Sequence, residues 1–290
     1  MKCRQLILWT FSLWVIACGP QVEEKNDVPK RLRVVTLAPS LTEAVSRVGG
    51  REFLVGRSQY CRYPDSVQEL PSVGRMDLPN IERLLSLRPD LLLVTGLTPP
   101  EVQTQVESFG IQVLRFKLNT LEDIIEMYPR VGASIGKEVE AAEVVASLVR
   151  KKESALSLRK NEAEKTPKAC FLFSLEQPLY SAGGETYIGS LIELAGFENI
   201  SAQKFIPWPQ IDMEWLIQSN PNVIFISKRV SEAAFKEMLE QLQTKPLWSQ
   251  LSAVRAERVY GIPQNYFSVP SALSFEALDV LSKAWLASPE

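Results

Sequence analysis

The sequence predicts an α/β protein of two pseudo-symmetric lobes, each built around a central, mostly parallel sheet, with one long linking helix between them. Three observations carry this. Short apolar, β-branched runs alternate with segments of helical periodicity. A unit of N-cap, short helix, proline stop and buried strand occurs twice, at Asn80–Val94 and Asp212–Ile226, with the cap, a glutamate, the proline and the strand all displaced by 132 residues. Between the units, Lys137 to about Glu162 contains no Gly or Pro, and Ala142, Val145, Val149 and Leu156 recur at helical spacing.

The elements follow in order along the 290 residues. Lys2 and Arg4 precede an apolar run, Leu6–Ala17, too short to span a bilayer comfortably. It ends Val15-Ile16-Ala17-Cys18-Gly19, which resembles the lipobox of bacterial lipoproteins. The resemblance implies cleavage before Cys18 and lipid on that cysteine; a plain signal peptide or an uncleaved anchor is the alternative. The polar segment Gln21–Lys30 reads as a tether. Arg33–Ala38 is a buried strand, and Pro39–Glu43 starts a helix with Ser40 as N-cap, stopped by Gly49-Gly50. A short strand at Val55-Gly56 and a loop over Ser58–Pro64 come next.

The first repeated unit leads to a helix at about Pro100–Phe109 and a strand at Gln112–Phe116. Thr120-Leu121-Glu122-Asp123 is a capped helix start, and Pro129 and Gly132 kink or end that helix. The stretch after Lys137 would be a helix of roughly 40 Å, either folded onto one lobe or crossing between lobes as a rigid connector. Ala169–Phe173 opens the second half as Arg33–Ala38 opens the first. There a helix at Glu232–Gln243 leads to the strand Arg258–Ile262. A repeat this long suggests two similar lobes rather than a solenoid, chance similarity of two ordinary helix–strand units being the alternative. The expected boundaries are a leader at 1–17, a tether at 18–30, an N-terminal lobe at 31–120, linking helices at 121–165 and a C-terminal lobe at 166–290.

Composition narrows the chemistry. The apolar fraction of 46% supports a full core, and the net charge of −2 provides no basic field for nucleic acid. Histidine is absent, which removes Ser-His-Asp and Cys-His catalysis, histidine zinc sites and imidazole haem ligation. No metal site is expected. Cys3 lies in the leader; Cys170 sits in an apolar run and reads as a small core residue rather than a partner for Cys61.

Together these features resemble the helical-backbone class of periplasmic binding proteins, which deliver cobalamin, haem or iron–siderophore complexes to ABC importers. The residues carrying the resemblance are Arg33–Glu43, Asn80–Leu84 with Arg88-Pro89-Asp90-Leu91, Tyr180-Ser181-Ala182-Gly183-Gly184, Ile192–Gly196 with Glu198-Asn199, and Pro207-Trp208-Pro209-Gln210. It spans nearly all of Arg31–Leu286. Tyr60, Tyr63-Pro64 and Trp208-Pro209-Gln210 look most like the vitamin B12-binding members. The chain departs from those members at Met76, where a tryptophan is frequent, at Thr95, and at Val269-Pro270-Ser271.

The resemblance implies a binding protein and not an enzyme, without a cofactor of its own, carrying cobalamin or a related corrinoid as transported ligand in a cleft between the lobes. Haem and iron–siderophore complexes are the alternatives, with Arg57, Arg62 and Arg75 as candidate anion contacts. It further implies an ABC permease partner, a monomer, and an envelope location, lipid-anchored and facing the periplasm or exterior. Tyr60, Tyr63, Tyr180 and Trp208 lie in turn-like segments at or near strand C-termini, where α/β folds expose their sites. Trp208, stiffened between prolines, either stacks on ligand or fills its own lobe's core. Gln177 and Glu185 could add polar contacts. Glu82 and Glu214 each fall in the first turn of a helix, where a carboxylate is stabilising for local reasons; the resemblance implies that such a pair docks onto permease arginines. An envelope hydrolase using Glu176 with Glu185 finds no nucleophile or base motif in support, and a purely structural surface lipoprotein is the blandest reading.

Overall fold

Val34, Val35 and Thr36 form β1 (Val34–Thr36), fully buried on both faces, as strands of covered parallel sheets are. The computed structural model describes residues 31–159 and 166–287; the expected leader, tether and lipid-bearing Cys18 lie outside the described residues. α1 (Pro39–Arg47) starts with Pro39 in its first turn, Ala38 at the N-cap and no side-chain cap bond. Ser40 is therefore not the cap and is buried within the helix. Proline's preset φ and missing N–H fit the first turn without side-chain help. β2 (Leu54–Arg57), α2 (Ile81–Ser86), β3 (Leu91–Thr95), α3 (Pro100–Glu107) and β4 (Gln112–Phe116) complete the first lobe. Its strands are all parallel, in the order β2-β1-β3-β4.

Two helices follow, α4 (Leu121–Ile135) and α5 (Glu138–Ser157). Thr120 and Asp123 make the expected reciprocal cap: the Asp123 N–H donates to Thr120 Oγ1 at 3.2 Å and the Thr120 N–H to Asp123 Oδ2 at 3.0 Å. Pro129 and Gly132 do not end α4; both lie inside it. The end comes at Gly136, in the left-handed region with φ 68°. A Cβ on Gly132 would stand 2.6 Å from the Ala141 Cβ, so this glycine lets α4 and α5 approach closely. The linking helix α5 has 20 residues, about 30 Å at 1.5 Å per residue, and stops at Ser157, short of Glu162.

The second lobe comprises β5 (Lys168–Leu172), β6 (Leu179–Tyr180), α6 (Tyr187–Leu194), β7 (Glu198–Asn199), β8 (Gln210–Ile211), α7 (Met213–Ser219), β9 (Val223–Lys228), α8 (Glu232–Thr244), α9 (Ser252–Arg255), β10 (Val259–Pro263) and α10 (Ala277–Leu286). Its main sheet is parallel in the order β10-β9-β5-β7. Matching β1 with β5, β2 with β7, β3 with β9 and β4 with β10 gives the same order in both lobes, so the repeat is one of topology as well as sequence. It extends to detail. Asn80 Oδ1 accepts from the Arg83 N–H at 2.8 Å and Asp212 Oδ1 from the Trp215 N–H at 2.7 Å. Each unit also turns on a left-handed residue before its proline, Arg88 with φ 45° and Asn220 with φ 41°. The residue before proline is pushed out of right-handed helix, and that forms the stop.

One buried cluster joins Val34, Leu41 and Phe116 of the first lobe, Tyr128 and Leu148 of α4 and α5, and Phe171, Phe275 and Trp285 of the second. The linking helices thus contribute to a core that both sheets share. Among the described residues no helix is long and apolar enough to cross a membrane.

Candidate functional site

Parallel strands place all their C-terminal ends along one edge of each sheet, and the loops leaving those edges carry the four aromatic residues singled out from the sequence. Tyr60 and Tyr63 are exposed in the loop after β2. Arg57 organises this loop: its guanidinium donates to the carbonyls of Val67 (2.8 Å), Ser58 (3.0 Å) and Gln68 (2.9 Å). The Ser58 N–H reaches Thr36 O at 3.0 Å, and Cys61 is buried beneath, its Sγ 3.2 Å from Ser58 Oγ. Arg75 pairs with Asp77. Of the three arginines considered as anion contacts, Arg57 is therefore occupied in holding its own loop, while Arg75 makes an exposed pair with its near neighbour Asp77.

Tyr180 and Trp208 come together on a second structure. β6 and β8 pair antiparallel, Tyr180 opposite Gln210. The ribbon continues as the Ser181 N–H donates to Pro209 O at 2.9 Å and the Gly183 N–H to Pro207 O at 2.8 Å. Gly183 is required here, because a Cβ would lie 2.2 Å from Ile206 O. Trp208 meets Phe173 edge-on at 5.8 Å and Tyr187 at 6.2 Å, and Phe171 in turn meets Phe173 at 5.0 Å and Phe267 at 4.8 Å. The Tyr187 hydroxyl donates to Phe267 O at 2.6 Å, and burial pushes its pKa well up. Trp208 is 46% exposed. It is thus rooted in its lobe's aromatic core and also presents ring surface outward. Among the described residues no ring contact or hydrogen bond joins Tyr60 or Tyr63 to Tyr180 or Trp208.

Exposed apolar residues beyond the strand ends that were not singled out from the sequence include Leu78, Leu97, Phe205 and Ile206. Leu97 follows β3 in a loop tied down by Arg115, which donates to Thr95 O (2.9 Å) and Thr98 O (2.8 Å). Thr98 Oγ1 then donates to Met76 O at 2.9 Å, linking this loop to the one carrying Leu78. The available signals were an apolar residue just past a strand end, at Gly96-Leu97, and the apolar pair preceding Pro207-Trp208. Glu176, Gln177 and Glu185 are exposed loop residues.

Glu82 and Glu214 are exposed in the first turns of α2 and α7. Gln218 Nε2 donates to Glu214 Oε1 at 3.3 Å. A further polar group is buried between the lobes. The Tyr128 hydroxyl donates to Glu43 Oε2 at 2.8 Å and accepts from the Ala272 N–H at 2.9 Å, while Glu43 also pairs with Arg47. Burial first, and then the Glu43 carboxylate, push the Tyr128 pKa well above the phenol range. Cys61 and Cys170 are both free and buried. Burial pushes the Cys170 thiol up to about 11, against the opposing effect of Ser181 and Ser201. Among the described residues no group of three or more His, Cys, Asp or Glu gathers to hold a metal ion.

Two similar parallel-sheet lobes around shared helices, with exposed aromatics at the strand ends, define a bilobal binding protein. The chain belongs to the periplasmic binding protein family, whose model matches residues 34–266. It is 32% identical over 197 residues to the vitamin B12-binding protein of Photorhabdus laumondii, covering 68% of this chain and 70% of that protein. The periplasmic vitamin B12 binding protein of Vibrio cholerae has the same fold, with a TM-score of 0.72, 23% identity and coverage of 88% of this chain and 96% of that one. The periplasmic heme binding protein of Vibrio cholerae shares it too, with a TM-score of 0.74, 21% identity and coverage of 89% and 100%.

Proposed function

We propose that this protein captures cobalamin or a related corrinoid between its lobes and delivers it to an ABC importer. The observation that carries the reading is the Trp208 platform, a stiff, half-exposed indole backed by Phe173 and Tyr187, beside Tyr180 on the same ribbon. A rigid aromatic face stacks on a flat, apolar macrocycle with little loss of side-chain freedom. Tyr60 and Tyr63 supply the first lobe's contribution. The occupation of Arg57 in its own loop weighs against an anionic siderophore, which would call for free guanidinium groups. The relatives named for vitamin B12 support the corrinoid over haem. Absorbance titration of the purified protein with cobalamin, its precursor cobinamide, haem and a ferric siderophore tests the choice. Saturable corrinoid binding is expected; haem or siderophore binding in its place would reassign the ligand.

Glu82 and Glu214 dock the protein on its permease, one from each lobe. Their support is equivalence: same helix turn, same cap geometry, both exposed. Exposed charges act mainly on encounter rate and salt dependence. Glu82→Ala and Glu214→Ala are each expected to leave ligand affinity intact and to reduce transport, with the double variant worse than either. Normal transport in both would leave them as ordinary helix-terminal carboxylates; lost ligand binding would make them ligand residues. Cys18 carries the lipid anchor, and a Cys18→Ala protein still fractionating with membranes at the wild-type level would refute it.

A further inference from the structure

Phe205 is 92% exposed, the most open large apolar residue among those described, and its backbone is left-handed, with φ 54° and ψ 22°. That region is unfavourable for an L-residue with a bulky side chain. Neither local backbone preference nor burial in its own lobe accounts for a phenylalanine here. A strained, uncovered ring points to contact with something outside the lobe.

The stem carrying the ring is fixed. The Phe205 N–H donates to Ala202 O at 3.2 Å, and the neighbouring Lys204 ammonium sits 4.6 Å from the Trp215 ring. On the other side, Ile206 O lies against Gly183 and Pro207 O accepts the Gly183 N–H. Phe205 is three positions before Trp208, so their Cα atoms are at most about 11 Å apart. A large flat molecule lying on the Trp208 ring therefore comes within reach of the Phe205 ring.

We infer that Phe205 is a further ligand-contact residue of the C-terminal lobe, beside Tyr180 and Trp208, its ring closing on the rim of a planar, metal-chelating macrocycle held at Trp208. The inference rests on the ligand reading above and names a residue that this reading lacks. The importer is the competing occupant, since Trp215, against which Lys204 stacks, directly follows Glu214 on α7.

The test uses the full-length protein with Phe205→Gly, Phe205→Leu and Trp208→Ala, titrated with cobalamin and with haem, each variant's Tm being measured alongside. Glycine tolerates the left-handed backbone, so Phe205→Gly is expected to melt at or above the wild-type temperature. It is nevertheless expected to bind about 5- to 20-fold more weakly, with Phe205→Leu recovering part of the loss. Wild-type affinity in Phe205→Gly, with Trp208→Ala impaired, overturns the inference and leaves the ligand reading standing. If that variant binds normally yet transports poorly, the ring belongs to the importer contact and the inference is likewise overturned. A clearly lowered Tm in both Phe205 variants would make the ring structural. A wild-type protein that binds neither macrocycle removes both readings together.

Discussion

Trp208→Ala is expected to weaken cobalamin binding roughly 5- to 150-fold. One desolvated aromatic contact is worth about 1–3 kcal/mol, and every 1.4 kcal/mol is about a factor of ten in affinity. The loss should fall on affinity more than on folding, because Trp208 is 46% exposed and the aromatic residues behind it remain packed through Phe171, Phe173 and Phe267. Trp208→Phe keeps a ring in the same stiff position between Pro207 and Pro209 and should retain most of the affinity. Isothermal titration of the two variants against wild type measures the effect. Unchanged affinity in a folded Trp208→Ala protein would place the ligand elsewhere.

Tyr128→Phe is expected to destabilise the fold by about 2–4 kcal/mol, because it removes one hydroxyl with two buried partners. Glu43 loses a donor in a site where it is 2% exposed, and the Ala272 N–H loses its acceptor. The corresponding fall in Tm is roughly 5–15 °C. The pH dependence has a definite sign. The folded-state pKa of Tyr128 is raised, so its contribution is complete below the ordinary phenol value of about 10. As pH rises beyond that value the unfolded chain releases the proton while the folded one retains it, and stability falls. The wild-type protein should therefore lose Tm on the alkaline side of pH 10. Tyr128→Phe should show a shallower decline there, Tyr187 still contributing. Equal alkaline slopes in the two proteins would exclude Tyr128 as a source.

Much of this architecture was legible because its signals are local. The units at Asn80 and Asp212 are set by a cap bond spanning three residues and by the steric effect of Pro89 and Pro221 on the residue before them, and both operate within a few positions. The exceptions arise where a distant partner decides. Gly132 reads as a helix stop in sequence, but Ala141 on the facing helix requires the missing side chain. Pro129 falls within α4 despite its local preference, since the helix is held by the buried face running through Tyr128 and Val131. Ser40 is an attractive cap until Pro39 takes the first turn. The aromatic positions were readable from their prolines and strand ends. The dual environment of Trp208 was not, because it depends on Phe173, Tyr187 and Phe267, which come from three separate segments.

The bond between Tyr128 and Ala272 spans 144 positions and has a consequence for how the chain completes its structure. Cap bonds need only nearby residues, but the shared core is complete only when the first sheet, α4, α5 and residues as late as Phe275 and Trp285 are together. Contacts of such long range must overcome loop-closure entropy before they stabilise anything. The two halves, alike in topology, are therefore bound into one core, and neither is fully covered without the other.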